Sequence, residues 1–257
     1  MRLSIRGLGR FVAVPGGLPP GVHNTSAVSP GGPVGAVFGS GAFNDGREFR
    51  LAKNGAVALV AGRLLQEALP VADFNNLAVA AAALGAVQVT VTLGNTALLA
   101  NQMAGGVLYV NDAGAAVTTE GYSYDILSHP AADASAACVI TLSPRTPIHI
   151  ALTTASQVTL MPNRYSGLLI HASPPTAAVV GVAPTAVPID EYFYVQTKGR
   201  AAVITQGTLV IGDSCVPSAT VDGAVMPSAA FETDGPVVGI VSSVNVDTEE
   251  SLIFLTL

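Results

Sequence analysis

Four histidines, two cysteines, two loose carboxylate groups and a set of tyrosines are the side chains of this sequence that could do chemistry. His23, His129, His149 and His171 stand far apart. Each is expected to be a surface or hydrogen-bonded histidine, because a Ser-His-Asp site is defined by geometry and no spacing here announces one. Asp247, Glu249 and Glu250 form one acidic group, and Asn111, Asp112 and Glu120 another. Hard cations such as calcium take several oxygen ligands, but neither group has calcium-loop spacing, and both read as solvated turns. Cys138 and Cys215 have no metal or redox spacing and sit in strand-like runs, so they read as buried thiols, with a disulfide left open. Tyr109, Tyr122, Tyr124, Tyr192 and Tyr194 would suit a sugar if they formed a platform; set in alternating strands, they are expected in a core or subunit interface. The sequence lacks G-x-S-x-G, G-x-x-x-x-G-K-S/T, H-E-x-x-H and a dinucleotide fingerprint, and reads as non-enzymatic, with no cofactor and no metal site.

The elements that must position these residues are strands. Val87 to Leu93 alternates without a break, with Val87, Val89, Val91 and Leu93 facing in. Tyr122 to Ile126, Cys138 to Leu142, Ile148 to Leu152 and Val158 to Leu160 repeat the pattern. Phe49–Lys53 and Ala56–Val60 flank Asn54-Gly55, a hairpin signal. Glu191–Thr197, Ala201–Thr205 and Thr208–Ile211 read as a three-stranded meander turning at Lys198-Gly199-Arg200 and Gln206-Gly207. Asp73–Leu84 reads equally as a short helix capped by Asn76 or as a buried strand, and Asn95–Gly105 as a helix of one or two turns. The apolar C-terminal LIFLTL is expected inside a sheet, because an exposed edge of that composition would aggregate. AVVGVAP and PVVGIVS look alike without establishing a repeat.

Strands every 8 to 16 residues with short turns point to a mainly β fold. The expectation is antiparallel β-sandwich or β-barrel units, at most one or two short helices, and an extended N-terminal arm. Residues 1–34 are read as the Gly/Pro-rich arm, 35–160 as a β-rich domain and 161–257 as a barrel-like domain, the last two open to being one.

Composition bounds the partners. Half of the 257 residues are hydrophobic and 11% are charged, about half the usual charged fraction. So little charge covers a monomer's surface poorly, which points to burial against copies of itself or another protein. Residues 1–63 carry seven basic and two acidic groups, a net of +5; residues 64–257 carry four and fifteen, a net of −11. A basic front suits an acidic neighbour, and Arg2, Arg6 and Arg10 in the arm are the expected partner-binding residues. With two Lys and a net charge of −6, nucleic acid is not expected. The longest apolar run, Leu77–Val87, falls short of the roughly 20 residues of a membrane helix, and no secretion signal is read at the N-terminus.

Five stretches resemble tailed-bacteriophage virion proteins of the capsid decoration, or cement, type. They are DGREFRLAKNGAVALVAGRLLQ (45–66), VTVTLGNTALLANQMAGGVLYVND (89–112), GYSYDILSHPA (121–131), EYFYVQTKGRAAVITQG (191–207) and, counted together, the short VGI near Val238 and the C-terminal FLTL. The resemblance spans most of the chain beyond residue 44 and carries no catalytic motif. It implies β-rich subunits, often trimeric, that are made in the host cytoplasm and bind the outer surface of the major capsid protein lattice, stabilising the head. Two other readings stand beside it: a tail, baseplate or head-fibre component, and a carbohydrate-binding β protein.

Overall fold

The computed structural model describes residues 22–28, 33–39, 46–112, 120–228 and 235–257. Among them the chain forms three early strands, β1 (Val37–Gly39), β2 (Glu48–Asn54) and β3 (Leu64–Gln66). A continuous middle segment supplies β4 (Leu77–Ala78), β5 (Gln88–Thr92) and β6 (Val107–Asp112). It continues with β7 (Ser123–Ser128), β8 (Ala137–Leu142) and β9 (Gln157–Met161). The remainder supplies β10 (Ser166–Ile170), β11 (Val179–Val182), β12 (Tyr192–Ile204) and β13 (Ser214–Pro217). β14 (Val225–Pro227), β15 (Gly239–Ser243) and β16 (Glu250–Thr256) complete it. The fold is mainly β and built of barrels, as the strand spacing predicts.

The chain divides into two compact units, and the division differs from a cut at residue 160. Met1–Leu69 and Arg164–Leu257 form one unit, and Pro70–Asn163 form the other. Sequence order hides this because β3 and β10, on either side of the middle segment, are paired neighbours, with Leu169 opposite Gln66 and Ile170 opposite Leu65. The middle unit is thus inserted into what would otherwise be one strand-to-strand connection.

The discontinuous unit holds a ten-stranded sheet in the order β1-β2-β10-β3-β11-β12-β16-β15-β13-β14, with β2 also paired to β12. That extra pairing closes β2, β10, β3, β11 and β12 into a five-stranded ring. A parallel bridge between Thr205, which follows β12, and Val225 of β14 closes β12, β16, β15, β13 and β14 into a second ring. Each ring has its own core. Ala52, Leu65, Leu168, Val180, Phe193 and Val195 are among the residues filling the first, and Leu64, Val182, Val203, Val225, Val241 and Ile253 among those of the second. Adjacent residues of β3 and β11 face different cores, so every residue of both strands is buried. A strand covered on both faces reads as a continuous apolar run, which is how LL and VVGV appear in the sequence.

β12 is shared by the two rings, and here the structure corrects the meander. Its first half, Tyr192–Lys198, pairs with β2, and its second half, Lys198–Ile204, pairs with β16. Lys198-Gly199-Arg200 does not turn the chain. Between Gln196 and Lys198 the register against β2 advances two residues for one, a β-bulge that leaves Thr197 unpaired in that ladder. Gly199 takes a φ of +78°, and a Cβ there would lie 2.8 Å from the Cα of Arg47. The glycine that resembles a hairpin signal is used to bend one long strand and to admit the chain of Arg47. Thr208–Ile211 is not a strand.

The Asn54-Gly55 hairpin is likewise absent. Asn54 ends β2 and is buried, its Nδ2 donating to the carbonyls of Val57, Val187 and Pro188 at 3.0, 3.2 and 2.8 Å. Its Oδ1 accepts from Gly55 N at 2.7 Å. The side chain anchors the segment after β2 to the segment before β12 rather than reversing the chain. From the expected arm, residues 22–28 lie against the ring: Ser26 exchanges both backbone hydrogen bonds with Tyr192, and His23 Nδ1 is 3.0 Å from Pro184 O.

The inserted unit is a six-stranded sheet, β4-β9-β6-β7-β8-β5, antiparallel throughout. An antiparallel bridge between Val79 and Val91 joins its two ends into a barrel. Val89, Val91 and Leu93 face its core as the alternation predicts, with Leu108, Tyr124, Ile126, Ile140 and Leu160 around them. Val87 is exposed instead, because it precedes the first paired residue, Gln88. The ambiguous Asp73–Leu84 resolves into a 3-10 turn, Ala72–Phe74, followed by β4, with Asn76 at φ +52° between them. Asn95–Gly105 forms successive turns rather than a helix; a bridge from Leu98 to Ala132 and Asn101 at φ +58° are incompatible with a helical run.

Candidate functional site

The outer face of the second ring is where the ten-stranded unit departs from ordinary inside-outside patterning. β16 buries Ser251, Ile253 and Leu255, as a half-buried strand should, yet its outward residues include Leu252 and Phe254. Phe254 pairs on one side with Arg200 of β12 and on the other with Ile240 of β15, so a cation, an aromatic ring and a branched aliphatic side chain lie in one row across three strands. Ile240 is 46% and Phe254 37% exposed. Ala202 and Leu252 form the next row. Singly exposed apolar residues are ordinary on a protein surface, whereas a contiguous set on a sheet face marks a contact site.

Two hollows meet on this face and share Arg47, Arg200 and Leu252. One, of about 630 Å³, includes Ile240, Ser242 and Phe254. The other, of about 400 Å³, is lined by His23, Phe49, Gln196 and Glu250 among others. The Arg47 guanidinium lies 5.8 Å from the centroid of the Phe49 ring, a cation–π arrangement that holds it at the wall. Arg50, Lys53 and Arg164 each have a carboxylate partner, in Glu48, Asp190 and Glu67. Arg200 is exposed and has none within 4.0 Å among the described residues. Such a surface is suited to holding a partner that is partly apolar and partly anionic. No protein-family model, curated protein or solved structure matches this chain.

The residues singled out by type fall elsewhere. Arg2, Arg6 and Arg10 lie outside the described residues. Asp247 braces a turn, its Oδ1 accepting from Gly207 N at 2.7 Å, and Glu250 lines the smaller hollow. Asn111 is tied to Asn76 and accepts from Thr159 Oγ1 at 3.2 Å, while Glu120 is exposed. Among the described residues no three His, Cys, Asp or Glu side chains gather as a metal group. Cys138 and Cys215 are buried free thiols in different units, and burial pushes Cys215 up to about 11. Tyr124 is buried and accepts from His149 N at 3.3 Å; Tyr122 stacks at 5.4 Å on the exposed His149; Tyr192 and Tyr194 lie in β12. The tyrosines are therefore distributed between two barrel walls.

The buried histidines have structural positions. In His129, Nδ1–H donates to Pro130 O at 2.9 Å and Nε2 accepts from Met103 N at 2.9 Å, a pairing that uses the neutral ring. His171 is buried between β10 and the Gly223 turn, its N donating to Leu64 O and its O accepting from Gly223 N. Burial lowers its pKa below the ordinary 6.5, a shift that nearby Asp222 opposes. The unfolded chain then takes up the proton first as pH falls. Stability contributed by the neutral imidazole is full above about 6.5 and is lost as pH drops from there toward the folded-state value. Urea midpoints measured across this range should fall for the native protein and fall less for His171→Gln; parallel curves would contradict the assignment.

The sequence signal for the outer face was present in LIFLTL, where apolar residues occupy both faces of a strand. Period-two reading assigns one face to a core and leaves the other unexplained. The role of Arg200 was hidden by reading its glycine neighbour as a turn.

Proposed function

We propose that the protein is a non-catalytic bacteriophage virion protein of the capsid-decoration type, bound to the outer surface of the major capsid protein lattice and stabilising the head. The reading is carried by the exposed Arg200–Phe254–Ile240 row, a contact face on a chain with too little charge to cover its own surface. The resemblance of five stretches to cement proteins supports it, as does a β-barrel scaffold, whose closed rings present side chains on fixed walls. A standard interface buries on the order of 1,600 Å², and repetition on a symmetric lattice adds avidity to modest single contacts. In this reading the protein is a homo-oligomer, with a trimer favoured, and the basic arm reaches an acidic neighbour.

The test is the copy number of this protein relative to the major capsid protein in purified virions of its source. A ratio within a few-fold of the capsid protein is expected. A ratio lower by an order of magnitude or more would assign it to a vertex, tail, baseplate or head fibre, and absence from the particle would overturn the virion reading.

A further inference from the structure

We infer that the groove between Arg200 and Phe254 receives an extended acidic peptide segment of the partner protein, with a carboxylate on Arg200 and an apolar side chain over Phe254 and Ile240. The inference names the chemistry of the partner for the contact face proposed above and rests on that reading of it.

A buried acceptor is the first observation. Gln196 is 4% exposed and lines the smaller hollow. Its Nε2 donates to Lys198 O at 3.0 Å and Arg200 O at 2.8 Å, which fixes the orientation of the amide. Its Oε1 has no donor among the described residues. A buried carbonyl left without a donor is unfavourable, and the N–H of a peptide backbone laid along the bulge supplies what is missing.

Charge placement gives the sign of the ligand. Among the described residues, His23, Arg47, Arg200 and Glu250 are the titratable groups lining the two hollows. Glu250 lies four residues along β16 from Phe254, about 13 Å at strand rise, so the Arg200 end keeps its positive character. Apolar geometry then gives the spacing. Neighbouring strands are about 4.8 Å apart, and alternate residues of an extended peptide recur about every 6.6 Å on one face. An acid-x-apolar sequence crossing the sheet places its acid at Arg200 and its apolar residue between Phe254 and Ile240. Nucleic acid fits less well, because a duplex needs a line of cations, and beyond Lys198 and Arg200 the same face of β12 and β16 carries Ala202, Leu252 and the acidic Glu250.

The full chain is to be panned against a displayed library of random peptides, and the selected peptides measured by fluorescence anisotropy. The expected result is a shared acid-x-apolar pattern, with binding weakened about tenfold or more by Arg200→Glu and by added salt. Arg200 is exposed, so the charge reversal leaves the core intact; Phe254→Ser provides a second, uncharged variant and should also weaken binding. No enrichment, a pattern without an acid, or binding unchanged in Arg200→Glu would overturn the inference. The copy-number result is independent of these outcomes: particles rich in a protein whose groove selects nothing acidic would sink the peptide and leave the decoration reading standing, and the converse also holds.

Discussion

Gly239→Ala is expected to destabilise the ten-stranded unit by about 3 kcal/mol, the upper end of what overpacking a core costs. Gly239 lies in β15 opposite Leu255, and a Cβ there would fall well inside contact distance of Phe254 O and 2.9 Å from Phe254 C. Those atoms are backbone of the β15–β16 ladder, so they cannot rotate away as a side chain would, and the two strands must separate. Gly181 of β11 is built the same way, with its Cβ position against the carbonyl of Gln196 in β12. The likeness of AVVGVAP and PVVGIVS therefore has a physical cause: in each, a glycine lets one strand press on the backbone of the next. Gly212→Ala is the control, because Gly212 has φ +91° and nothing within 4 Å of its Cβ position. It should cost about 1 kcal/mol, for the left-handed backbone alone. Urea unfolding followed by circular dichroism separates the two, and equal losses would show that close approach is not the determining factor.

Asn54→Ala is expected to cost about 2 kcal/mol. The substitution removes the donor shared by the Val57, Val187 and Pro188 carbonyls, at a site 1% exposed; Val187 O keeps Leu59 N, Pro188 O keeps Glu191 N, and Gly55 N keeps Leu168 O. Removing one partner from a hydrogen-bonded cluster at a buried side chain costs about 1–3 kcal/mol, and water reaching the exposed Val57 and Pro188 offsets part of it. Asn54→Asp tests the cause. The carboxylate has the same shape and can still accept from Gly55, but it has no N–H to offer three carbonyl oxygens. It should be at least as destabilising as alanine. A stable Asp variant would show that shape, rather than donation, holds the two segments together.

Much of the architecture was legible in the sequence. Alternation assigned the inward residues of β5, β7, β8 and β9, because a strand's side chains change face at every residue whatever the rest of the chain does. The buried terminal strand followed from its composition: β16 lies between β12 and β15. The failures cluster where a local signal has two uses. Asn54-Gly55 and Lys198-Gly199-Arg200 have the residue types of tight turns, but positive φ and a side-chain amide serve equally in a bulge or an anchor. Which use prevails depends on the strand that lies alongside, and that strand is remote in sequence.

The candidate site shows the same division. Sequence alone determined that this is a β chain with too little charge for its surface and with apolar residues on both faces of its last strand, since composition and periodicity are properties of the chain itself. Only tertiary structure decided that β12 runs through its glycine to pair with both β2 and β16, that the middle segment is inserted between neighbouring strands, and that Arg200, Phe254 and Ile240 share one row. Pairings between residues so far apart are set by which strands meet to close each ring, and no short stretch of sequence encodes that choice.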